Sequence, residues 1–280
     1  MTAPALHTTT ASQLTDFIAT PSHAVLLTGA TGIGKRVVAE YLADTILKHS
    51  YKSLNEYPYA RVIVSGEGKM IGIEAIRDLE HFLSLKVPGS SLIKRVIIID
   101  QAQLLGLEAQ NALLKTLEEP PVDTIIIMTA PSVQSLLPTI QSRLQTIAII
   151  KPAKSDLASV MPSTAFDANY TISGGLPGLL HALINNQDHP LTAAVVSARQ
   201  LLVQSGYERL LQVDTLAKDK QLTQNTLSIL QQMAHISLQS AKGPASMRWQ
   251  GIMKASYQAS EALAASGNAK LVLTNLLIQL

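Results

Sequence analysis

Gly29, Gly34 and Lys35 stand at the spacing Gly-x4-Gly-Lys in the string GATGIGKR, residues 29–36, with Thr31 and Gly32 inside the loop. That spacing lets backbone N–H groups, a lysine and the start of a helix surround a phosphate. The next position ordinarily carries a Ser or Thr hydroxyl that holds magnesium, and here it is Arg36. A guanidinium cannot ligate a metal, and its charge competes for the same space. A second string, RVIIIDQAQLL (residues 95–105), ends an apolar run on Asp100. P-loop proteins place a magnesium-coordinating carboxylate at such a strand end. Gln101 follows where many such proteins have a Glu that orients water, and an amide is not a base. Taken singly, the glycines also suit an ordinary turn, and Asp100 suits a strand-end cap. Taken together they describe a disarmed nucleotide site, able to hold phosphate but not to run efficient magnesium-dependent hydrolysis.

Composition narrows the other chemistries. The 280 residues contain no cysteine, which removes disulfides, thiolate zinc sites and thiol nucleophiles. The seven histidines show no HExxH and no pair at helical ligand spacing, so no metal site is expected. A net charge of +2 is too small to argue nucleic-acid binding by itself. MTAPALHTTTASQL has no basic start followed by a long apolar stretch. The apolar runs Val96–Ile99 and Ile125–Met128 are also far too short for a membrane span. A cytoplasmic protein that makes no membrane contact is the expectation.

The elements that must position the site alternate. Apolar β-branched runs at Ala24–Thr28, Arg61–Ser65, Arg95–Asp100, Thr124–Thr129 and Gln145–Ile150 suit strands buried on both faces. Helical patterns lie between them at Lys35–His49, Ile73–Leu85 and Leu107–Glu119. In the last, Leu107, Leu113, Leu114 and Leu117 are expected on one stripe, and Pro120-Pro121 forces the stop. The pattern predicts an α/β domain with a five-stranded parallel sheet over residues 1–152. Beyond Lys151-Pro152 only helical sequence follows, and we expect a small helical unit at 153–187 and a larger helical domain at 188–280.

NALLKTLEEPP (residues 111–121) and LLPTIQSRL (residues 136–144) resemble signatures of bacterial clamp-loader subunits, AAA+ proteins of the replicative DNA polymerase III holoenzyme. IGIEAIRDLEHFLSLK (residues 71–86) and SEALAASGNAKLVLTNLLIQL (residues 260–280) fit the same family, so the likeness runs over nearly the whole chain. Within it the sequence is most similar to the delta-prime type, whose nucleotide site is typically degenerate. The resemblance implies an AAA+ P-loop module, a helical lid and a C-terminal helical collar. It also implies a pentameric ring with delta and gamma/tau subunits, acting on a sliding clamp and primed DNA. ATP or ADP is the cofactor it admits at the loop. By the same resemblance Thr129 takes the polar sensor position of the fourth strand. Arg143 matches an arginine finger offered in trans to a neighbouring subunit's ATP.

The sequence departs from the family pattern in four places. Leu144 stands where Ser-Arg-Cys is usual; Lys48–Tyr59 replaces a four-cysteine zinc module, so no zinc is expected; Gln101 replaces the Glu. The lid turn reads Gly175-Leu176-Pro177-Gly178 and lacks the sensor arginine. A non-motor subunit is therefore the expectation, with an active gamma/tau-type motor and a stand-alone P-loop enzyme as rivals. For Arg143 the alternative is capping of a local carbonyl, since no carboxylate near in sequence pairs with it. Glu118-Glu119 reads as a solvated helix end in preference to a contact with cationic groups across a subunit interface, Trp249 as an interface anchor or a core residue, and Lys69 and Lys94 as DNA-phosphate contacts or ordinary surface lysines.

Overall fold

The computed structural model describes residues 3–47, 53–66, 69–88 and 92–280. The 48–59 link therefore falls partly outside the described residues, as does the end of the helix expected to reach His49. The chain divides into two compact units, Met1–Asp156 and Leu157–Leu280.

In the first unit, Val- and Ile-rich runs form a five-stranded parallel sheet in the order β2-β3-β4-β1-β5. The strands are β1 (Ala24–Thr28), β2 (Ala60–Ile63), β3 (Arg95–Ile99), β4 (Thr124–Ala130) and β5 (Gln145–Ala148). β1, β3 and β4 are buried along their whole length, which is why they read as unbroken apolar runs. β2 and β5 are the edges and are shorter than the expected Arg61–Ser65 and Gln145–Ile150. Helices α2 (Lys35–Leu47), α3 (Ile73–Ser84) and α4 (Leu107–Glu118) connect the strands.

One face of the sheet, with Leu26, Ile97, Ile99, Ile126 and Met128, packs into a core with Ile76 and Leu79 of α3 and Leu113 and Leu117 of α4. Leu107 departs from its expected place: it is 62% exposed, while Ala109, Gln110 and Thr116 share the buried face. On a 100° wheel Leu107 sits at the rim of that stripe, and it opens the helix beyond the sheet's cover.

A helix that the sequence reading did not anticipate, α1 (Thr8–Ala19), precedes the sheet and buries Thr10, Leu14 and Phe17. Its Thr10 hydroxyl donates to the Ala148 carbonyl at 3.0 Å and accepts from the Ile150 N–H at 3.1 Å, tying the helix to the exit of β5. At the start of β3, Arg95 is almost wholly buried. Its guanidinium donates to Asp123 (2.6 Å) and to the Leu83 and Leu85 carbonyls.

The described residues of the second unit form helices joined by loops, with no strand: α6 (Lys154–Val160), which begins just before it, α7 (Phe166–Ser173), α8 (Pro177–Asn185), α9 (Thr192–Val203), α10 (Gly206–Leu211), α11 (Val213–Lys218), α12 (Lys220–Leu238), α13 (Pro244–Ala264) and α14 (Ala269–Gln279). α7 packs on α12, so the segments 153–187 and 188–280 share a core in this unit. Trp249 lies on α13 and is partly buried. Among the described residues no helix is long and apolar enough to cross a membrane.

Candidate functional site

β4 lies between β1 and β3, so the three strands deliver neighbouring groups at their C-terminal ends, where α/β sheets bind ligands. The glycine loop leaves β1, Thr129 lies near the end of β4, and Asp100 follows β3. Thr129 is fully buried; its hydroxyl donates to Asp100 Oδ1 at 2.6 Å and accepts from the Gln101 N–H at 2.9 Å. Gln101 meets that hydroxyl from a left-handed backbone (φ 55°, ψ 53°), a conformation costing about 1–3 kcal/mol that the surrounding structure must hold. Its backbone, not its exposed side chain, thereby joins the site.

The loop is closed on itself. Lys35 Nζ donates to the Gly29 carbonyl at 2.6 Å and the Ala30 carbonyl at 3.0 Å. Burial pushes its pKa down to about 8, against the pull of Asp100, which raises it. Gly29 and Gly34 take φ values of +149° and +91°. The first backbone N–H of α2 to find a carbonyl is that of Val38, bonded to Gly34 at 3.0 Å, which leaves the N–H groups of the preceding turn as potential anion donors. The structure thus assembles Gly29, Thr31, Gly32, Gly34, Lys35, Arg36, Asp100 and Thr129 at one end of the sheet.

The AAA+ likeness implies a magnesium ion at this place, and the residues present do not fit one. Arg36 Nη1 lies 3.6 Å from Asp100 Oδ2, and Arg36 Nε donates to Glu40 Oε1 at 2.5 Å. The other Asp100 oxygen is held by Thr129. Two cationic side chains, Lys35 and Arg36, attend this carboxylate, and the hydroxyl that would complete a metal shell is a guanidinium instead. No step through a metal is drawn from this site.

Arg143 belongs to the opposite end of the sheet. β5 runs parallel to β1 with Gln145 opposite Val25, so Arg143 precedes the N-terminal end of β5 while the loop leaves the C-terminal end of β1. Val25 to Gly29 alone spans about 13 Å of strand at roughly 3.3 Å per residue. The guanidinium is anchored three ways: Nη1 donates to the Thr139 carbonyl (2.7 Å) and to Ser142 Oγ (3.2 Å), and Nη2 to Glu118 Oε1 (2.7 Å). No carboxylate close in sequence pairs with Arg143, and its partner is Glu118, 25 residues away. This corrects one expectation: Glu118 is not a merely solvated helix end. The expected carbonyl cap, on Thr139, is present as well. Arg143, Glu118, Ser142, His23 and Leu117 line an open groove of about 520 Å³.

Sequence reasoning missed Gln110. This buried amide on α4 donates to the Leu105 carbonyl and accepts from the Leu137 N–H, both at 3.0 Å. Leu137 caps the short helix α5 (Pro138–Gln141), which leads into Arg143. Lys94 is half-buried and donates to the Val87 carbonyl at 3.4 Å, whereas Lys69 is exposed. In the second unit, Leu176 and Pro177 open α8, and the turn of residues 175–178 carries no arginine.

A family model described as DNA polymerase III, delta subunit, matches residues 8–153. The delta-prime subunit of DNA polymerase III from Pseudomonas aeruginosa is 30% identical over 180 residues, 56% of this chain and 54% of that protein. The Escherichia coli delta-prime subunit is 26% identical over 66% of this chain and 61% of its own length. The tau subunit of Bacillus subtilis is 33% identical over 44% of this chain and 24% of its own. The chain thus spans about half the length of the Pseudomonas relative. A DNA polymerase III gamma-subunit-related protein from Thermotoga maritima shares the fold: TM-score 0.50 at 19% identity, covering 96% of this chain and 97% of that one. The fold is therefore the AAA+ class, an α/β P-loop module followed by helices, and the sequence matches lie with delta-prime, tau and gamma subunits. The chain belongs to the DNA polymerase III delta-subunit family, and the relatives it matches include delta-prime subunits.

Proposed function

We propose that this clamp-loader family member is a non-motor subunit that hydrolyses no ATP of its own and lends Arg143 in trans to the nucleotide of a neighbouring motor subunit. The observation that carries the reading is the separation just described. Arg143 lies at the opposite end of the sheet from its own glycine loop, whose two cations are engaged internally, so it cannot serve that loop. A planar, always-charged donor suits the charge that spreads over a transferring phosphoryl group. In this reading the partners are delta and gamma/tau subunits in a pentameric ring, with the sliding clamp and primed DNA as the complex's substrates, in the cytoplasm. ADP or ATP at the degenerate loop would be a structural ligand.

The test is reconstitution. Purified chain alone is expected to show no ATP turnover above background, and to raise the DNA-stimulated turnover of a mixture of motor and delta subunits while co-eluting with them. Turnover of about one per second by the isolated chain, abolished by Lys35→Ala, would instead make it a motor.

A further inference from the structure

We infer that Glu118 is a positioning residue for Arg143, and that helix α4 acts as a splint holding the arginine in the orientation its use requires; this rests on the trans role proposed above. α4 grips the Arg143 segment at two points. Near its start, buried Gln110 accepts from the Leu137 N–H at 3.0 Å, fixing the entry to α5. At its last residue, Glu118 Oε1 takes the Arg143 Nη2 donor at 2.7 Å. The two grips are eight residues apart, about 12 Å along the helix. Between them, Leu113 and Leu117 are buried against the sheet, so the splint itself is anchored. Pro120-Pro121 then ends the helix, and the Glu119 N–H closes its last turn on the Lys115 carbonyl at 3.1 Å.

The chemistry favours a fixed guanidinium over a tethered one. The Arg143 side chain is about one-third exposed and the Glu118 side chain about half, so their pairing adds little to folding. What the contact does is select one orientation. Of five guanidinium N–H groups, the bonds to Thr139 and Ser142 engage those on Nη1 and the bond to Glu118 engages one on Nη2. Nε–H and the second Nη2–H remain for an incoming phosphoryl oxygen, on a plane already set by Glu118, Thr139 and Ser142. Glu118 also sits where the C-terminal end of the α4 dipole disfavours negative charge, and Arg143 offsets that. The NALLKTLEEPP string and the SRL string are thus two halves of one device.

The experiment uses the reconstituted complex carrying wild-type, Arg143→Ala, Glu118→Ala, Glu118→Gln or doubly substituted chain. Assembly is checked by co-elution, and turnover is followed against ATP concentration. Glu118→Ala is expected to lower kcat about 10- to 100-fold, as small misplacements of a reacting group do, with KM for ATP nearly unchanged. Glu118→Gln, which keeps an acceptor oxygen, should retain more activity than Glu118→Ala. In the Arg143→Ala background, Glu118→Ala should add nothing, because it acts through the arginine. Unchanged or faster turnover with Glu118→Ala, in a complex that Arg143→Ala does impair, overturns the positioning role alone. Unimpaired turnover with Arg143→Ala overturns the trans role beneath it. Loss of assembly with Glu118→Ala would assign the residue to the interface and also overturn the inference.

Discussion

Replacing Gly29 and Gly34 separately by alanine distinguishes what the glycine loop is for. Both glycines have positive φ, +149° and +91°, and forcing an alanine into such conformations costs about 1–3 kcal/mol. At Gly34 a Cβ would meet nothing within 4 Å, so that strain is the whole expected loss. At Gly29 the Cβ would lie 2.9 Å from the Ile149 carbonyl oxygen and 3.3 Å from Ile33 Cγ2. The carbonyl cannot easily yield, because Ile149 is itself tied to β1 by a 2.7 Å bond from its N–H to the Thr28 carbonyl. Overpacking of this kind adds about 1–3 kcal/mol. Gly29→Ala should therefore cost roughly 1–3 kcal/mol more than Gly34→Ala, without nucleotide present. Urea unfolding of the full chain reads the difference as a shift in midpoint at constant slope, with the first unit's transition taken separately if the two units unfold apart. Equal losses, or a neutral Gly29→Ala, would refute the argument that Gly29 is demanded by packing against the exit of β5. The expected result would mean that packing against the exit of β5 is enough to require a glycine at position 29, whether or not the loop holds phosphate.

Other perturbations follow from the same structure. Asp123→Asn leaves the guanidinium of buried Arg95 without its counter-charge and should cost about 3 kcal/mol, read by the same unfolding assay. Burial pushes the Asp123 carboxyl up, but the hydrogen bonds and charge of Arg95 reverse this and hold it below the ordinary carboxylate range. Its stabilisation is therefore present above the unfolded pKa of about 3.9 and lost as pH falls through the folded value, so the variant should show a flatter acid limb. Lys35, titrating near 8 instead of 10.5, binds its proton less readily when folded. Wild type should gain stability relative to Lys35→Met as pH rises through that interval, and lysine-resolved NMR should find a Lys35 ammonium signal, absent from Lys35→Met, that titrates near pH 8. On α14, Leu273, Leu276 and Leu277 are buried while Leu271 and Ile278 are exposed seven residues apart on one face. Deleting residues 260–280 should thus unfold the second unit, whereas Leu271→Ser with Ile278→Ser should leave its circular dichroism intact and weaken assembly with partner subunits.

Much of the first unit was legible because its signals are local. Strands buried on both faces announce themselves as unbroken Val/Ile runs, and the loop, Asp100 and the helix stopped by Pro120-Pro121 lie within short windows of sequence. The core helix α4 was legible as a helix but not in every face: Leu107 reads as apolar and lies exposed, since periodicity cannot tell where the sheet beneath stops. α1 escaped notice because threonine-rich TTTASQLTDFIA has modest helix propensity. It is held by contacts visible only in three dimensions, with Phe17 buried and Thr10 bonded to the far end of the unit. The polar ties were illegible for the same reason. Arg143 and Glu118 are 25 residues apart and Gln110 and Leu137 are 27 apart, and no periodicity links them. The disarming of the loop could be read from Arg36 and Gln101. That Lys35 turns onto the loop's own carbonyls, and Arg36 onto Glu40 and Asp100, needed coordinates.

The most direct test of the central claim is turnover by an assembled complex in which only this chain carries Arg143→Ala, with Arg143→Lys alongside, resolved by single-turnover kinetics to the adjacent motor site. The expected result is intact assembly with hydrolysis at that site reduced by about 10³-fold or more, and little rescue by lysine, which lacks the forked geometry. Undiminished hydrolysis at every site in the assembled Arg143→Ala complex would contradict the account and leave this subunit a purely architectural part.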